Sequence, residues 1–173
     1  GGTSLPEEEG FVMTRNADTV AHLQRALAME LGAVNQYLLH AHTLDDWGLD
    51  KLATKMKSEM QEELGHAGQF IDRLIFLGAD PVLEPIKTPK KAANLRAMFE
   101  ADLADEKDAI AFYTEAAETA GAGDVGSRKL FEDTVLDEEG HMDWLQRQLD
   151  LLERMGEGAF IAKHMSEPGT AES

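Results

Sequence analysis

Between Ala17 and Met165 apolar residues recur every three to four positions, and strict alternation of apolar with polar residues is almost absent. That period is helical. Four long segments carry it: Ala17 to Leu44, Leu49 to Leu77, Ala92 to Ala120, and Asp124 to just before Gly156. A short fifth helix spans Ala159 to Met165. Asn16 or Asp18 offers the first N-cap, and Gly78, Gly121-Ala122-Gly123 and Gly156 mark the stops. Residues 1–16 read as an irregular N-terminal segment, 17–165 as one folded domain and 166–173 as a polar, loose tail.

The connections set the topology. Asp45-Asp46-Trp47-Gly48 and Gly121-Ala122-Gly123 are short turns, which give two antiparallel helix pairs. The link from Gly78 to Lys91 holds Pro81, Pro85 and Pro89 and is not helical through its length. Its fourteen residues reach ~46 Å when extended. A helix of 28 residues, the length of the first segment, is ~42 Å long. The link can therefore run the length of the bundle, which makes the second and third helices parallel. The expected fold is all-α: a four-helix bundle with one long crossover and a short fifth C-terminal helix.

Each long helix carries one Glu in the phase of its own apolar stripe. The first reads Leu23, Leu27, Glu30, Val34, Tyr37, Ala41, and the second Met56, Met60, Glu63, Ala67, Phe70, Leu74. The third reads Leu95, Phe99, Asp102, Glu106, Ile110, Tyr113, and the fourth Phe131, Val135 or Thr134, Glu138, Met142, Leu145, Leu149. Each stripe thus holds a Glu in buried phase near mid-helix. An unpaired buried carboxylate is strongly disfavoured, and four converging would repel one another. Two divalent cations balance the four charges.

Two histidines sharpen this. His66 follows Glu63 by three residues and His141 follows Glu138 by three, so each pair shares a helix face. Glu30 precedes Glu63 by 33 residues and Glu106 precedes Glu138 by 32. Glu63-Leu64-Gly65-His66 also echoes Glu138-Glu139-Gly140-His141, as in an internal duplication. A lone Glu and a Glu-x-x-His from each hairpin form the di-metal carboxylate constellation of four-helix bundles. Glu63 and Glu138 would bridge, with Glu30 and His66 at one end and Glu106 and His141 at the other. These donors suit iron, manganese or zinc.

Composition narrows the partners. A formal net charge of −17 disfavours nucleic acid and anionic membrane and favours cations. The absence of Cys excludes disulfides, thiolate metal sites and cysteine catalysis. No apolar run approaches the ~20 residues of a membrane span, so the chain is expected to be cytoplasmic. Among the remaining candidates, Tyr37 is either a redox neighbour of the centre or a packed core residue. His22, His40 and His42 read as surface or capping residues, Trp47 and Trp144 as packing, and Met56 and Met60 as core filler.

Four stretches carry a family resemblance: Met29 to Tyr37 (MELGAVNQY), Asp46 to Leu49 (DWGL), Glu62 to Ala67 (EELGHA) and Asp137 to Leu145 (DEEGHMDWL). Together they resemble bacterioferritin, over about Met13 to Met165. The resemblance implies a hollow cage of twenty-four subunits that oxidises ferrous iron with dioxygen or peroxide and stores a ferric mineral. By matching positions, the ferroxidase ligands would be Glu30, Glu63, His66, Glu106, Glu138 and His141, with Tyr37 beside them.

Two positions depart from the family pattern. The haem-ligating methionine should stand two residues before His66, where this chain has Leu64. A cavity-wall histidine is often found eight residues before His66, where this chain has Ser58; Glu62 keeps an acid near that place. A homomeric cage is therefore expected to lack haem b. A second bacterioferritin subunit type that keeps the methionine would supply it, and a ferredoxin would be the electron donor for iron release. The competing reading is a non-storage di-iron oxidoreductase or peroxidase of the rubrerythrin type. Such proteins usually carry a cysteine-ligated module, and this chain has none.

Overall fold

The structure is a computed structural model in which residues 6–166 are described, with side chains from residue 17 onward. Five helices follow in order: α1 Pro6–Asp46, α2 Asp50–Phe76, α3 Leu95–Ala120, α4 Val125–Met155 and α5 Glu157–Lys163. No strand occurs among the described residues.

The punctuation is chemical. Gly48 turns the chain between α1 and α2 at φ 82°, a conformation that favours glycine, and the amide of Leu49 reaches back to the carbonyl of Leu44 at 2.9 Å. The Asn94 side chain caps α3 by accepting from the Ala97 amide at 2.8 Å. Asp124 caps α4 by accepting from the Ser127 amide at 3.0 Å, and Arg73 of α2 donates to the same carboxylate at 2.6 Å. That ion pair ties the start of α4 to the end of α2.

The crossover is a strap laid along α1. Gln24 donates to the Asp80 carbonyl at 2.9 Å and accepts from the Val82 amide at 3.2 Å. One turn on, the Ile86 amide donates to the Ala28 carbonyl at 2.9 Å. The strap therefore climbs α1 from its beginning toward its end. Since α2 descends α1 in the opposite sense, α3 starts at the end where α2 started. The two are parallel, as the prolines implied.

Two apolar clusters fill the bundle. One gathers Leu44, Leu52, Met56, Phe99, Leu149 and Phe160. The other gathers Leu23, Leu27, Phe70, Leu74, Tyr113 and Phe131. Trp47 and Trp144 pack against the first, and Met60 lies against it too. Phe160 shows why α5 exists: fully buried, it stacks edge-on against Phe99 at 5.9 Å and stoppers one end of the bundle.

Several boundaries differ from the sequence reading: α1 runs on to Asp46 rather than Leu44, and α3 begins at Leu95 rather than Ala92, where Asn94 supplies its cap. The first helix begins at Pro6 rather than Ala17, so residues 6–16 are helical, not irregular. Proline at a first helical position forfeits no intrahelical hydrogen bond, and Gly10 alone is too small a penalty to stop a helix. The fifth helix is Glu157–Lys163, two residues earlier than expected, because it starts directly at Gly156. Ser166 is not loose: its amide donates to Asp50 at 2.9 Å and its hydroxyl to the same carboxylate. The rest of the expected tail, 167–173, and residues 1–5 of the N-terminal segment lie outside the described residues.

Gly32 is where strap and helix meet most closely. A β-carbon there would sit 3.2 Å from Cγ2 of Ile86. Gly32→Ala should be tolerated, since a small shift of Ile86 offsets the gain in helix propensity. Gly32→Leu should lower stability by about 1–3 kcal/mol and make the strap the first site cut in limited proteolysis. Parental melting and parental resistance to cleavage in the Leu variant would contradict this seating.

Candidate metal centre

Glu30 on α1, Glu63 and His66 on α2, Glu106 on α3, and Glu138 and His141 on α4 converge between the two apolar clusters. All six are buried, none more than 6 % exposed. Their donor atoms form two groups, Glu30–Glu63–His66–Glu138 and Glu63–Glu106–Glu138–His141, each within 4.8 Å. Glu63 and Glu138 belong to both. The overlap is the arrangement in which those two would bridge a pair of cations.

Each of the six keeps one buried atom without a hydrogen-bond partner: Oε2 of Glu30, Oε1 of Glu63, Nδ1 of His66, Oε2 of Glu106, Oε1 of Glu138 and Nδ1 of His141. The ring nitrogens do come near oxygens, His141 Nδ1 to Glu63 at 2.9 Å and His66 Nδ1 to Glu138 at 3.0 Å. Those approaches lack hydrogen-bond alignment; the atoms point past one another into a shared space. A buried donor or acceptor left unpaired is costly, and six of them aimed inward fit hard or borderline divalent cations.

The outer faces of the same residues are held. Tyr37 donates to Glu106 at 2.7 Å, and Tyr113 donates to Glu30 at 2.6 Å. Nε2 of His66 meets Asp137 at 2.8 Å, and Nε2 of His141 meets Glu62 at 2.7 Å and Glu59 at 2.6 Å. A carboxylate on the outer nitrogen fixes the ring and leaves the inner nitrogen free for a metal.

The ferritin-like domain family matches residues 20–155. Bacterioferritin of Brucella melitensis is 45% identical over 139 residues, covering 80% of this chain and 86% of that protein. Bacterioferritin of Rhodobacter capsulatus is 38% identical over 161 residues, covering 92% of this chain and 100% of that one. The chain belongs to the bacterioferritin family. A solved structure of the Rhodobacter capsulatus protein superposes with a TM-score of 0.86 at 37% identity, covering 90% of this chain and 98% of that one. It is described as having a metal-free dinuclear site and haem iron in a crystallographic special position.

Two features of this bacterioferritin centre go beyond the helical pattern. Tyr113 lies in the core stripe of α3 and is also the counterpart of Tyr37. The signal was there: each tyrosine follows its helix's Glu by seven residues, Glu30 to Tyr37 and Glu106 to Tyr113. His40 was taken for surface or cap, but it is 1% exposed. Its Nδ1 meets Asp102 at 3.1 Å; Gln36 donates to Asp102 at 2.6 Å and to Asp105 at 2.8 Å. Lys87 of the strap closes the chain on Asp105 at 2.5 Å. A buried imidazole is stable here because an acid faces it across the bundle. Of the other two, His42 is exposed and His22 is half-buried, edge-on to Phe112 at 5.6 Å. Leu64 is 47% exposed, facing away from the centre, and Ser58 is exposed.

The groups of the centre shift one another's protonation. Burial, then the neighbouring Glu30 carboxylate, push Glu63 well above the usual carboxylate range. Burial and then the facing Glu138 do the same for Glu106. Burial works against Glu138 too, but the close approaches of Glu106, His141 and His66 outweigh it and hold Glu138 down. Burial disfavours charge on His66, yet Glu138, Glu30 and Glu63 raise it overall; Glu106, Glu138 and Glu59 do so for His141. Both rings are thereby biased toward their protonated form. Cations must displace these protons, so binding strengthens as pH rises and weakens as it falls. Titrating the metal-free protein with zinc in weakly buffered solution should acidify it by more than one proton per centre, and apparent affinity should rise between about pH 6 and 8. Binding without proton release would contradict this charge state.

Proposed function

We propose that the chain is an iron-storage ferroxidase: it oxidises ferrous to ferric iron at the paired site and holds the ferric mineral inside a hollow cage of twenty-four copies. The observation that carries this reading is the set of six inward-facing, unpartnered donor atoms, four of them carboxylate oxygens. Ferrous iron is the substrate. Two ferrous ions give two electrons to dioxygen, which with two protons leaves as hydrogen peroxide; given to peroxide instead, two electrons and two protons yield two waters. Glu30, Glu63, Glu106 and Glu138 favour the product, because hard anionic oxygens stabilise the higher charge more than the lower. Tyr37 and Tyr113 hold the two terminal carboxylates in place through their hydroxyls. Burial, then Glu106 for Tyr37 and Glu30 for Tyr113, raise both phenols well above their usual range, so both remain donors. Tyr37 is also the candidate redox neighbour by family position.

Assembly is supported by the apolar side chains that one subunit leaves uncovered, among them Leu64, Ile75, Phe76 and Leu136. No helix among the described residues is long and apolar enough to cross a membrane, which agrees with a cytoplasmic cage. A peroxidase without storage would use the same centre, and iron content divides the two. Aerobic ferrous titration followed by sizing and metal analysis should give a large particle with many irons per subunit. Glu63→Ala and Glu138→Ala should each lose the fast oxidation phase while keeping helical content. Unchanged initial rates in both variants, or about two irons per subunit in a small oligomer, would overturn the reading.

Haem is a separate matter. Leu64 has no lone pair for an axial bond. Met60, one turn earlier, is partly buried against the core and lies about 6 Å from Leu64 along the helix axis. A homomeric cage of this chain therefore binds no haem b through position 64. A companion subunit with methionine there would carry it, and ferredoxin-driven iron release would depend on that companion. Protein expressed alone with haem supplied should show no bis-methionine Soret band, and Leu64→Met should gain one. A strong band in the parent would show this wrong.

A further inference from the structure

The centre has two approaches, and their chemistry differs. On one side Glu59, Glu62 and Asp137 crowd the outer nitrogens of His66 and His141. On the other, a cavity of about 390 Å³ lies between α1 and α3, partly under the strap, and reaches Glu30, Glu63, Glu106 and Glu138. Its walls are small or apolar: Met29, Gly32, Ala33, Ile86, Ala109 and Phe112. Its rim sets Arg25 and Lys87 against Asp105 and Asp108, so the charges there cancel. Arg25 lies over the Phe112 ring at 5.2 Å, and Lys87 pairs with Asp105 at 2.5 Å.

A divalent cation gains nothing from a neutral rim and loses hydration against apolar walls. A small uncharged molecule meets neither penalty. The strap crosses the mouth fixed at two points: on α1 by the Ile86–Ala28 backbone bond, and on α3 by the Lys87–Asp105 pair. The first is inside a ladder of strap-to-helix bonds. The second is half-exposed on the lysine side, 48%, and so is the weaker of the two. We propose that the α1–α3 cavity is the port by which the uncharged oxidant, dioxygen or hydrogen peroxide, reaches the centre, and that the Lys87–Asp105 pair is its latch. This rests on the ferroxidase reading.

The test uses the assembled full chain, loaded with ferrous iron without oxygen and then mixed rapidly with solutions of low, varied dissolved oxygen. Lys87→Ala should raise the second-order constant for oxygen about threefold or more, and Ala33→Leu, which fills the cavity, should lower it by a similar factor. Anaerobic cobalt(II) uptake, followed by its visible absorption, should proceed at the parental rate in both variants and in Lys87→Glu. Oxygen constants that stay parental in Lys87→Ala and Ala33→Leu would overturn the port alone. Faster cobalt uptake in Lys87→Glu would overturn it by making the cavity a cation route. A parent that binds cobalt but never oxidises iron would overturn the ferroxidase reading and the port together.

Discussion

Four carboxylates buried in one layer of a helix bundle are the constraint on which this structure turns. Glu30, Glu63, Glu106 and Glu138 are each shielded almost wholly from solvent, and without compensation their mutual repulsion would open the bundle. The fold supplies compensation in two layers. Inside, two imidazoles share protons with the carboxylates or, in their place, cations bind. Outside, phenols and further acids hold the terminal carboxylates and the rings from behind. The apolar clusters above and below this belt are what keep water from relieving the tension, so packing of residues such as Phe70 and Phe99 bears on the centre without touching it.

The stitching of the belt follows a rule. Tyr37 of the first hairpin holds Glu106 of the second, and Tyr113 of the second holds Glu30 of the first. Glu62 meets His141, and Asp137 meets His66. Every one of these bonds crosses from one helix pair to the other. Two hairpins that each carry half the donors are therefore locked together by the polar groups around the donors, and hydrophobic burial does not have to fix their register alone. A slide of one hairpin against the other would break all four bonds at once.

How much of this was legible in the sequence follows from what each feature depends on. The buried Glu in each stripe and the two Glu-x-x-His pairs depend on helical periodicity, which one sequence displays. The crossover depends on three prolines, which it also displays. His40 was misread because its burial depends on Asp102, sixty-two residues away on another helix; nothing near His40 in the chain announces that partner. The early start of α1 was missed for the opposite reason: Gly10 and a polar composition look like a break locally, whereas extension of an existing long helix needs no new nucleus. Tyr113 was legible through the duplication and was overlooked because an aromatic in a core stripe already had a sufficient explanation.

The duplication is strict at the donors and keeps the acids Glu62 and Asp137 beside them, but it is abandoned around the two tyrosines. Offsets that carry Glu30 to Glu106 and Tyr37 to Tyr113 also carry Gln36 to Phe112, His40 to Ala116, Ala26 to Asp102 and Met29 to Asp105. One side of the centre is consequently backed by the polar chain from His40 through Asp102, Gln36 and Asp105 to Lys87 at the surface. The other is backed by rings: Tyr113 lies 5.7 Å from Phe70, 5.9 Å from Phe112 and 6.2 Å from Phe131. The two tyrosines make the same bond to equivalent carboxylates, yet they are not equivalent. The Asp102 carboxylate contributes to raising the phenol of Tyr37, while Tyr113 is walled off among aromatic neighbours. Equivalent donors with unequal neighbours thus give the centre two different flanks, a polar chain that reaches the surface at Lys87 on the Tyr37 side and an aromatic cluster on the Tyr113 side.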